Sequence, residues 1–333
     1  MRPRLTPAMA DVRRAVRELL VDIFADAPDG TLVLVALSGG PDSLALAAAT
    51  AFEAPRTGLR AGAVIVDHGL QEGSGAVAER AAEQARTLGL DPVLIRRVEV
   101  LAQSGPEADA RKARYDALAE ARSSTGASAV LLGHTLDDQA ETVLLGLTRG
   151  AGPTSIGGMS PISGFYLRPL LEIRRRSTES ACADQGLEAW HDPHNVDSAF
   201  TRVRIRHDVM PVLERELGPG IAEALARTAA HLREDSATLD SLASDMVQGV
   251  IMPSPGPEVA LDAHALADAP AAIHTRVLRI VVQAAFGVSL TSAHTAAIAQ
   301  LVTNWHGQGA ANVPGIRVER QGFRLVFVPT ESE

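Results

Sequence analysis

The sequence predicts an α/β protein in which helices cover both faces of a parallel sheet, with a smaller, mainly helical C-terminal domain. Over residues 32–148, short apolar runs alternate with longer helical patterns, and this βαβα order is typical of a parallel sheet. Polar clusters directly follow three of the apolar runs, where such sheets bind ligands. The length of 333 residues suggests two domains.

The elements of the first domain follow one another regularly. An amphipathic helix opens the chain, because apolar residues recur there at helical spacing: Val12, Val16, Leu19, Leu20 and Ile23. Strands are then predicted at 32–37, 63–66, 92–98 and 129–133, and helices at 42–52, 75–88, 107–123 and 137–148. Residues 151–164 are rich in Gly, Ser and Pro and are predicted as loops.

The second half of the chain has longer helical patterns. These predict helices at 174–186, 201–217 and 221–250, then further helices, and at the end a hairpin of 316–319 with 324–328. Gly218-Pro219-Gly220 interrupts the pattern. We therefore expect one domain over residues 1–217 and another over 218–333, the second beginning with a long linking helix.

Composition narrows the class of protein. The formal charge of −9 argues against indiscriminate binding to a polyanion, although a local basic groove stays compatible with it. The single cysteine, Cys182, allows neither an intramolecular disulfide nor a cysteine-held metal cluster. The first residues lack the apolar core of a signal peptide, and no apolar run reaches the ~18–20 residues of a membrane span. We expect a cytoplasmic protein, and the sequence leaves a homodimer open.

The turn Ser38-Gly39-Gly40-Pro41-Asp42-Ser43 lies between a predicted strand and a predicted helix. Its glycines allow close approach of the backbone to a ligand, and the N-terminus of the following helix suits an anion. The turn lacks the lysine of the kinase-type phosphate loop and is shorter than that loop. The alternative is an ordinary helix cap made by Ser or Asp.

Two further polar clusters follow strands. Asp67-His68-Gly69 follows the second strand, and it is either part of a site or a plain turn. The stretch from His134 to Glu141 follows the fourth strand and places Asp138 and Glu141 on one helix face. Its carboxylates suit Mg²⁺ or proton transfer, although acidic residues in a first turn also simply complement the helix dipole.

Arginines form local basic groups that the net charge conceals. Arg111 and Arg114 share a face of the predicted helix 107–123 and suit phosphate contacts, whereas Glu107 with Arg111 also fits a plain surface pair. Arg202 and Arg206 lie four residues apart on another helix and can share one face toward phosphate. A third run is Arg174-Arg175-Arg176.

Together these motifs resemble a known family. SGGPDS (38–43) resembles the pyrophosphate loop (PP-loop) of the N-type ATP pyrophosphatases, which have an adenine nucleotide alpha hydrolase-like fold. The tRNA(Ile)-lysidine synthases are the members resembled by a series of motifs over about residues 30–215: VDHGL (66–70), EADARKARYDAL (107–118), LLGHTLDDQAETVLLGLTRGAG (131–152), LRPLL (167–171), WHDPHN (190–195) and RVRIRHDVMPVL (202–213). Two positions depart from the pattern, Pro106 before Glu107 and Val203 between Arg202 and Arg204.

The resemblance implies an ATP-dependent ligase with Mg²⁺ as a cofactor. Its substrates would be free L-lysine and a tRNA(Ile) with a CAU anticodon. ATP would adenylate C2 of the wobble cytidine (tRNA position 34), releasing pyrophosphate, and the lysine ε-amine would then displace AMP to give lysidine. Residues 1–217 would form the catalytic ATP-binding domain, and residues 218–333 the tRNA-binding domain.

The resemblance also assigns roles to residues. The ATP-binding residues would be Ser38, Gly39, Gly40, Pro41, Asp42, Ser43, Asp67, His68 and His134. The catalytic residues would be Asp42, Asp138, Glu141, Arg114 and Arg206, with Asp42 and Asp138 as Mg²⁺ ligands. Contacts to tRNA or substrate would come from Glu107, Arg111, Arg114, Arg202 and Arg206.

Three alternatives compete with this interpretation. A related tRNA thiolase needs paired cysteines or a cysteine-held iron–sulfur cluster, which a chain with one cysteine does not offer. Amidating relatives such as NAD synthetase or GMP synthetase lack the arginine helix of residues 202–207 and a large helical C-terminal domain. A non-catalytic nucleotide- or tRNA-binding module would show gaps in the acidic set, yet Asp42, Asp138 and Glu141 are all present.

Overall fold

The structure of the chain is a computed structural model, which describes residues 5–69, 73–98, 105–150, 152–254 and 256–330. Of residues 106, 107, 153, 154, 194 and 195 it describes the backbone alone. The chain divides into two units, Met1–His231 and Leu232–Glu333. No helix within the described residues is both long enough and apolar enough to cross a membrane.

The first unit is built on a six-stranded sheet with the order β3-β2-β1-β4-β6-β5. Its strands are β1 (Leu32–Ala36), β2 (Arg60–Asp67), β3 (Val93–Arg97), β4 (Ala129–Leu131), β5 (Ile162–Ser163) and β6 (Tyr166–Leu167). All neighbours pair in parallel except β5 and β6. The four predicted strands are confirmed. The short hairpin of β5 and β6 was not predicted: β5 lies inside the stretch predicted as loops, residues 151–164, and β6 follows it. Strands of two residues leave no periodic signal in the sequence.

Helices cover both faces of this sheet. They are α1 (Pro7–Ile23), α2 (Pro41–Glu53), α3 (Ser74–Thr87), α4 (Pro106–Thr125), α5 (Leu136–Thr148), α6 (Gly152–Ile156), α7 (Arg175–Asp184), α8 (Thr201–Arg204) and α9 (Met210–Leu217). A π-helical turn, Ile205–Val209, joins α8 to α9, and α10 (Ile221–Val250) contains the division between the units. All five residues of β1 are buried, as expected for a central parallel strand.

Alternate residues of β1 enter two different cores. Val33 and Val35 belong to a core that includes residues of α1, α2, α3 and α7. Leu32, Leu34 and Ala36 point to the opposite face and pack in a core with Leu118 and Ala121 of α4 and other apolar residues. This alternation follows from the pleat of the strand, and it fixes which face of the sheet each helix covers.

The order of the strands creates a switch point beside β1. The chain passes from β1 to β2 on one side, whereas β4 pairs with β1 on the other side. The loops after β1 and β4 therefore meet at one edge of the sheet, where ligands of such sheets bind. Gly133, just after β4, lies so close that a Cβ on it would be 3.3 Å from the backbone carbonyl of Asp42. A larger residue at this position would require the backbone of Asp42 to shift by a few tenths of an ångström, so the approach favours glycine.

The second unit contains a five-stranded antiparallel sheet with the order β7-β8-β11-β10-β9. Its strands are β7 (Ile251–Met252), β8 (Val259–Asp262), β9 (Ala311–Val313), β10 (Ile316–Gln321) and β11 (Arg324–Pro329), and its further helices are α11 (Ala263–Asp268), α12 (Ala271–Phe286) and α13 (Ser292–Thr303). Phe327 and Val318 pack with α12 and α13 in one core. The predicted C-terminal hairpin is confirmed as β10–β11, and three shorter strands that the sequence analysis did not predict extend it.

Candidate active site

The glycine loop, residues 38–43, connects β1 to α2. Gly39 has a φ of +83°, a conformation that favours glycine. The Ser43 hydroxyl donates to the Gly40 carbonyl at 2.9 Å and accepts from the Ser38 N–H at 3.2 Å, so the two serines close the loop. Gly40 occupies the N-cap position, and no side chain caps α2. The ordinary side-chain cap considered as the alternative is therefore not formed, and the helix N-terminus remains suited to an anion.

Asp42 lies in the first turn of α2, with its carboxylate close to α7. The Thr178 hydroxyl donates to Oδ1, and the Arg175 guanidinium lies 3.5 Å from Oδ2. Burial raises the pKa of Asp42 to about 6, because these two partners only partly offset the loss of water around the carboxylate. Asp42 thus lies beside a site suited to an anion, and Thr178 and Arg175 compensate its negative charge only in part.

Helix α5 begins with a reciprocal cap between Thr135 and Asp138. The Asp138 N–H donates to Thr135 Oγ1 at 3.4 Å, and the Thr135 N–H donates to Asp138 Oδ2 at 2.8 Å. Oδ1 of Asp138 accepts from Arg175 Nη2 at 2.6 Å. Burial alone would raise the pKa of Asp138, but Arg175 and the Thr135 N–H hold it below its ordinary value. Asp138 therefore caps the helix and also forms an ion pair.

One turn further along α5, Glu141 completes a cluster of charges. Its carboxylate is only 2% exposed and accepts two hydrogen bonds from Arg206, at 2.7 and 3.1 Å. Arg175 Nη1 lies 3.4 Å from the same carboxylate. Burial opposes the charge on Arg175, but the surrounding carboxylates prevail and raise its pKa. We call Asp42, Asp138, Glu141, Arg175 and Arg206 the carboxylate cluster; it carries three negative and two positive groups.

Other polar side chains of α5 hold neighbouring segments in place. Asp137 Oδ2 accepts from the backbone N–H of Arg175 at 2.7 Å, at the start of α7. The Gln139 amide donates to the Met159 carbonyl at 2.9 Å and accepts from the Met159 N–H at 2.7 Å. Next to it, a Cβ on Gly158 would lie 2.7 Å from Gln139 Oε1. The start of α5 therefore holds the beginning of α7 and the loop at Met159 in place, and it also contributes Asp138 and Glu141 to the carboxylate cluster.

A cavity of about 250 Å³ opens at the carboxyl ends of β1 and β2. The polar residues in its wall are Ser38, Asp67, His68, Ser74, Arg114 and Asp192, and Trp190 is the aromatic residue there. The apolar part of the lining is formed by Ala36, Leu37, Val64, Ile65, Val66, Val77, Ala78 and Leu118. A mostly apolar cavity with a few polar groups, directly beside the glycine loop, suits a flat base attached to phosphates.

Three ionisable residues after β2 and β4 differ in charge. Burial would raise the pKa of Asp67, but the Gly69 N–H at 3.0 Å, Ser74 and Arg97 lower it, so Asp67 is ionised. Burial, aided by Arg114, lowers the pKa of His68. Burial lowers the pKa of His134 to about 3. Both imidazoles are therefore neutral at pH 7, and the buried Nδ1 atom of each lacks a hydrogen-bond partner within the described residues.

A larger cavity, of about 870 Å³, lies beyond His68 and is basic. Arg111, Arg114 and Arg202 line it, together with Tyr115. The Arg111 guanidinium lies over the Tyr115 ring, 4.9 Å from its centroid. Burial lowers the pKa of the Arg114 guanidinium, a group that is effectively always protonated in proteins. The cavity thus offers cations and an aromatic face to a large anion.

The structure places the predicted site residues in three groups. Ser38 of the glycine loop, Asp67 and His68 border the smaller cavity, and Asp42, Asp138, Glu141 and Arg206 belong to the carboxylate cluster. Arg111 and Arg202 line the basic cavity, and Arg114 lines both cavities. Arg202 lines the basic cavity and Arg206 the cavity beside the carboxylate cluster, although both contact neighbouring residues of α5, Thr142 and Glu141. The side chain of Glu107 lies outside the described residues, so its surface pair with Arg111 stays a prediction.

Sequence reasoning assigned no site role to Arg175, Thr178 or Trp190. Arg175 is one of three consecutive arginines, and only the fold shows that it contacts three carboxylates. Thr178 follows it by one helical turn, and this spacing was the available signal for a shared face. Trp190 lies in WHDPHN, a motif quoted for the resemblance without a role for its tryptophan.

A divalent cation would find limited protein ligands here. Within the described ranges, no group of three or more His, Cys, Asp or Glu side chains is arranged to hold a metal ion. Mg²⁺ bound with phosphates needs only one or two carboxylates, the remaining ligands being phosphate oxygens and water. Asp42 fits that requirement better than Asp138, because both oxygens of Asp138 already accept close hydrogen bonds.

Comparison with protein families gives two matches along the chain. Residues 10–213 match the family described as a PP-loop domain. Residues 261–325 match the family described as TilS substrate binding domain. The first match contains all three groups of site residues, and the second lies in the unit with the antiparallel sheet.

Individual proteins are similar over nearly the whole chain. The tRNA(Ile)-lysidine synthase of Leifsonia xyli subsp. xyli is 59% identical over 300 residues, which is 90% of each chain. That of Thermobifida fusca is 54% identical over 327 residues, 98% of each chain. Among solved structures, the U34-tRNA thiolase NcsA from Methanococcus maripaludis matches with a TM-score of 0.56 and 19% identity, over 68% of this chain and 79% of the thiolase. At that identity the thiolase shows a shared fold alone.

Proposed function

Because the chain belongs to the tRNA(Ile)-lysidine synthase family, we propose that it joins free L-lysine to C2 of the wobble cytidine of a tRNA(Ile) with a CAU anticodon. ATP would adenylate the cytidine, and the products would be lysidine, AMP and pyrophosphate. The observation that carries the proposal is the convergence of the glycine loop and the carboxylate cluster at the switch point beside β1.

The nucleotide would bind across the glycine loop and the smaller cavity. The adenosine would occupy the cavity lined by Asp67, His68 and Trp190, and the phosphates would extend over residues 38–43 to the N-terminus of α2. This orientation places the pyrophosphate on the loop and leaves the α-phosphate between the two cavities. The neutral His134 would supply a hydrogen bond to the nucleotide without adding charge.

Asp42 would hold Mg²⁺ together with the phosphates. When bound there, the ion supplies positive charge against the leaving pyrophosphate. The carboxylate of Asp42 is held close to this position by Thr178 and Arg175. Its raised pKa shows that these partners leave part of its charge uncompensated, which a cation would relieve.

Lysine would bind beside the carboxylate cluster. A cavity of about 190 Å³ there is lined by both signs of charge, from Asp137, Glu141, Arg174, Arg175, Arg206 and Glu214. A free amino acid carries an ammonium and a carboxylate, so mixed charges suit it. Asp138 would contribute charge rather than accept the proton of the amine, because its lowered pKa makes it a weak base.

The tRNA would enter the basic cavity. A cytidine must leave its stack before C2 can react, and the arginines can hold the phosphates of such a splayed strand. Arg111 and Arg202 line the wall, and Arg114 also borders the adenosine cavity. We expect Arg114 to lie where the cytidine and the α-phosphate would meet, and there its charge would stabilise the transition state.

A PP-loop tRNA thiolase is the competing function, because a thiolase shares the fold. That thiolase carries a [4Fe-4S] cluster. This chain has one cysteine, which is buried and therefore cannot supply the ligands of such a cluster. A single cysteine therefore argues against a cluster of that kind in this chain.

The test uses the purified protein with ATP, Mg²⁺, labelled lysine and a tRNA(Ile) transcript with a CAU anticodon. We expect ATP-dependent incorporation of label into the tRNA with stoichiometric release of AMP. The matched control is the same tRNA with a UAU anticodon, which should take up no label. Release of AMP without incorporation of lysine, or incorporation into the control tRNA, would refute the proposal.

A further inference from the structure

A short segment between α7 and the next helical turn lies against the glycine loop. We call residues 187–192 the strap; none of them belongs to a helix or strand. Its Trp190 N–H donates to the Gly39 carbonyl at 2.9 Å. The side chain of Trp190 lines the smaller cavity, so one residue touches both the loop and the proposed adenosine site.

The strap is itself held by a side chain of α3. The Gln84 amide donates to the Glu188 carbonyl at 3.1 Å, and its carbonyl accepts from the Glu188 N–H at 2.9 Å. A carboxamide that satisfies both backbone groups of one residue fixes the position and the orientation of that residue. Two residues later, Trp190 makes its bond to the glycine loop.

This bond determines which way a peptide of the loop faces. In a trans peptide, the C=O of Gly39 and the N–H of Gly40 point in opposite directions. With the carbonyl bound to the strap, the Gly40 N–H turns to the inside of the loop, where Ser38 Oγ lies 3.4 Å away. The reversed peptide would present a carbonyl oxygen to the phosphates and repel them. A peptide between two glycines rotates easily, so an external restraint has a large effect.

We propose that Gln84 is a positioning residue for ATP: through the strap it keeps the peptide Gly39–Gly40 oriented to receive the pyrophosphate part of the nucleotide. This inference rests on the proposed ATP site. It concerns the β- and γ-phosphates, which ATP has and AMP lacks. Gln84 lies on α3 and lines a separate cavity behind the strap, so it contacts no proposed substrate.

The experiment compares the binding of ATP and of AMP by calorimetry. In Gln84→Leu both hydrogen bonds are lost, and we expect the Kd for ATP to rise about tenfold, which corresponds to about 1.4 kcal/mol. The Kd for AMP, which lacks the pyrophosphate, should change less than twofold. Gln84→Glu keeps only the acceptor, so the Kd for ATP should rise about threefold. The same replacement at the neighbouring exposed residue, Glu83→Leu, should change neither Kd.

Two outcomes overturn the inference. An unchanged Kd for ATP in folded Gln84→Leu would show that the hydrogen bonds from Gln84 to the strap are not needed for ATP binding. An equal loss of affinity for ATP and AMP would show that the substitution deforms the cavity and not the loop. If Gln84→Leu fails to fold by circular dichroism, Gln84→Glu decides by the same two criteria. Failure of the wild-type protein to bind ATP would instead refute the proposed function.

Discussion

Replacement of Asp42 by asparagine should make the protein more stable and inactive. Asparagine resembles the neutral form of the carboxyl group and still offers an oxygen to the Thr178 hydroxyl. It loses the attraction of Arg175 at 3.5 Å, but the raised pKa of Asp42 already includes that attraction. The negative charge at this position therefore destabilises the folded state, and its removal should be favourable.

The magnitude follows from the pKa. The carboxyl of Asp42 has a pKa of about 6 in the folded protein, against an ordinary value of 3.8. Because the folded state holds the proton more tightly, stability falls as the pH rises from about 4 through about 6, and it is constant above. The difference is about 3 kcal/mol at pH 8, and about half of that at pH 5. The carboxylate is 22% exposed, so solvent screening lowers our expectation at pH 8 to about 1.5 kcal/mol.

Urea unfolding followed by tryptophan fluorescence measures this effect. The chain has two tryptophans, and a Trp305→Phe background leaves Trp190 as the reporter of the first unit. Asp138→Asn is the control with the opposite sign, since the pKa of Asp138 is lowered and its charge stabilises the fold above that pKa. A lower midpoint for Asp42→Asn than for wild type at pH 8 would refute the reasoning, as would retention of AMP formation.

Glu141→Gln removes a buried charge that Arg206 contacts at 2.7 and 3.1 Å. The free energy of unfolding, measured in urea, should therefore fall by about 3 kcal/mol. An unchanged midpoint of unfolding would contradict the ion pair. Gly158→Ala places a Cβ 2.7 Å from a side-chain oxygen at a φ of +63°, which should cost about 1–3 kcal/mol, more than Gly164→Ala at a similar φ in open space. Burial raises the pKa of the Cys182 thiol to about 11. Iodoacetamide at pH 8 should therefore label this cysteine far more slowly in the folded protein than in the urea-unfolded protein, as measured by mass spectrometry. Equal labelling rates would contradict the burial of Cys182.

Much of the first unit could be predicted from the sequence, because its signals are local. Apolar runs such as Leu32–Ala36 are long enough to show burial, and the parallel order then gathers the residues that follow β1 and β4 at one edge. The sequence therefore predicts Asp42 and Asp138 in one site. In the structure both carboxylates form ion pairs with the guanidinium of Arg175.

The rest depends on contacts between distant segments. Nothing in a run of three arginines distinguishes Arg175 from its neighbours; α7 has to pack beside α2 and α5 before the difference exists. Arg202 and Arg206 both contact α5, as a shared face requires, but the different cavities that they line depend on how α8 and the π turn pack against α5. The strap has no periodicity, so its contact with the glycine loop left no trace in the sequence.

The close approach of Gly133 to the start of α2 has a consequence for engineering. A single added methyl group at Gly133 would lie 3.3 Å from the backbone of Asp42, so a change in the shape of either loop requires a matching shift in the other. A chimaera that exchanges the glycine loop with that of a relative should therefore exchange the loop at Gly133 with it. The two loops therefore form one exchangeable module, although 89 residues lie between Ser43 and Gly133 in the sequence.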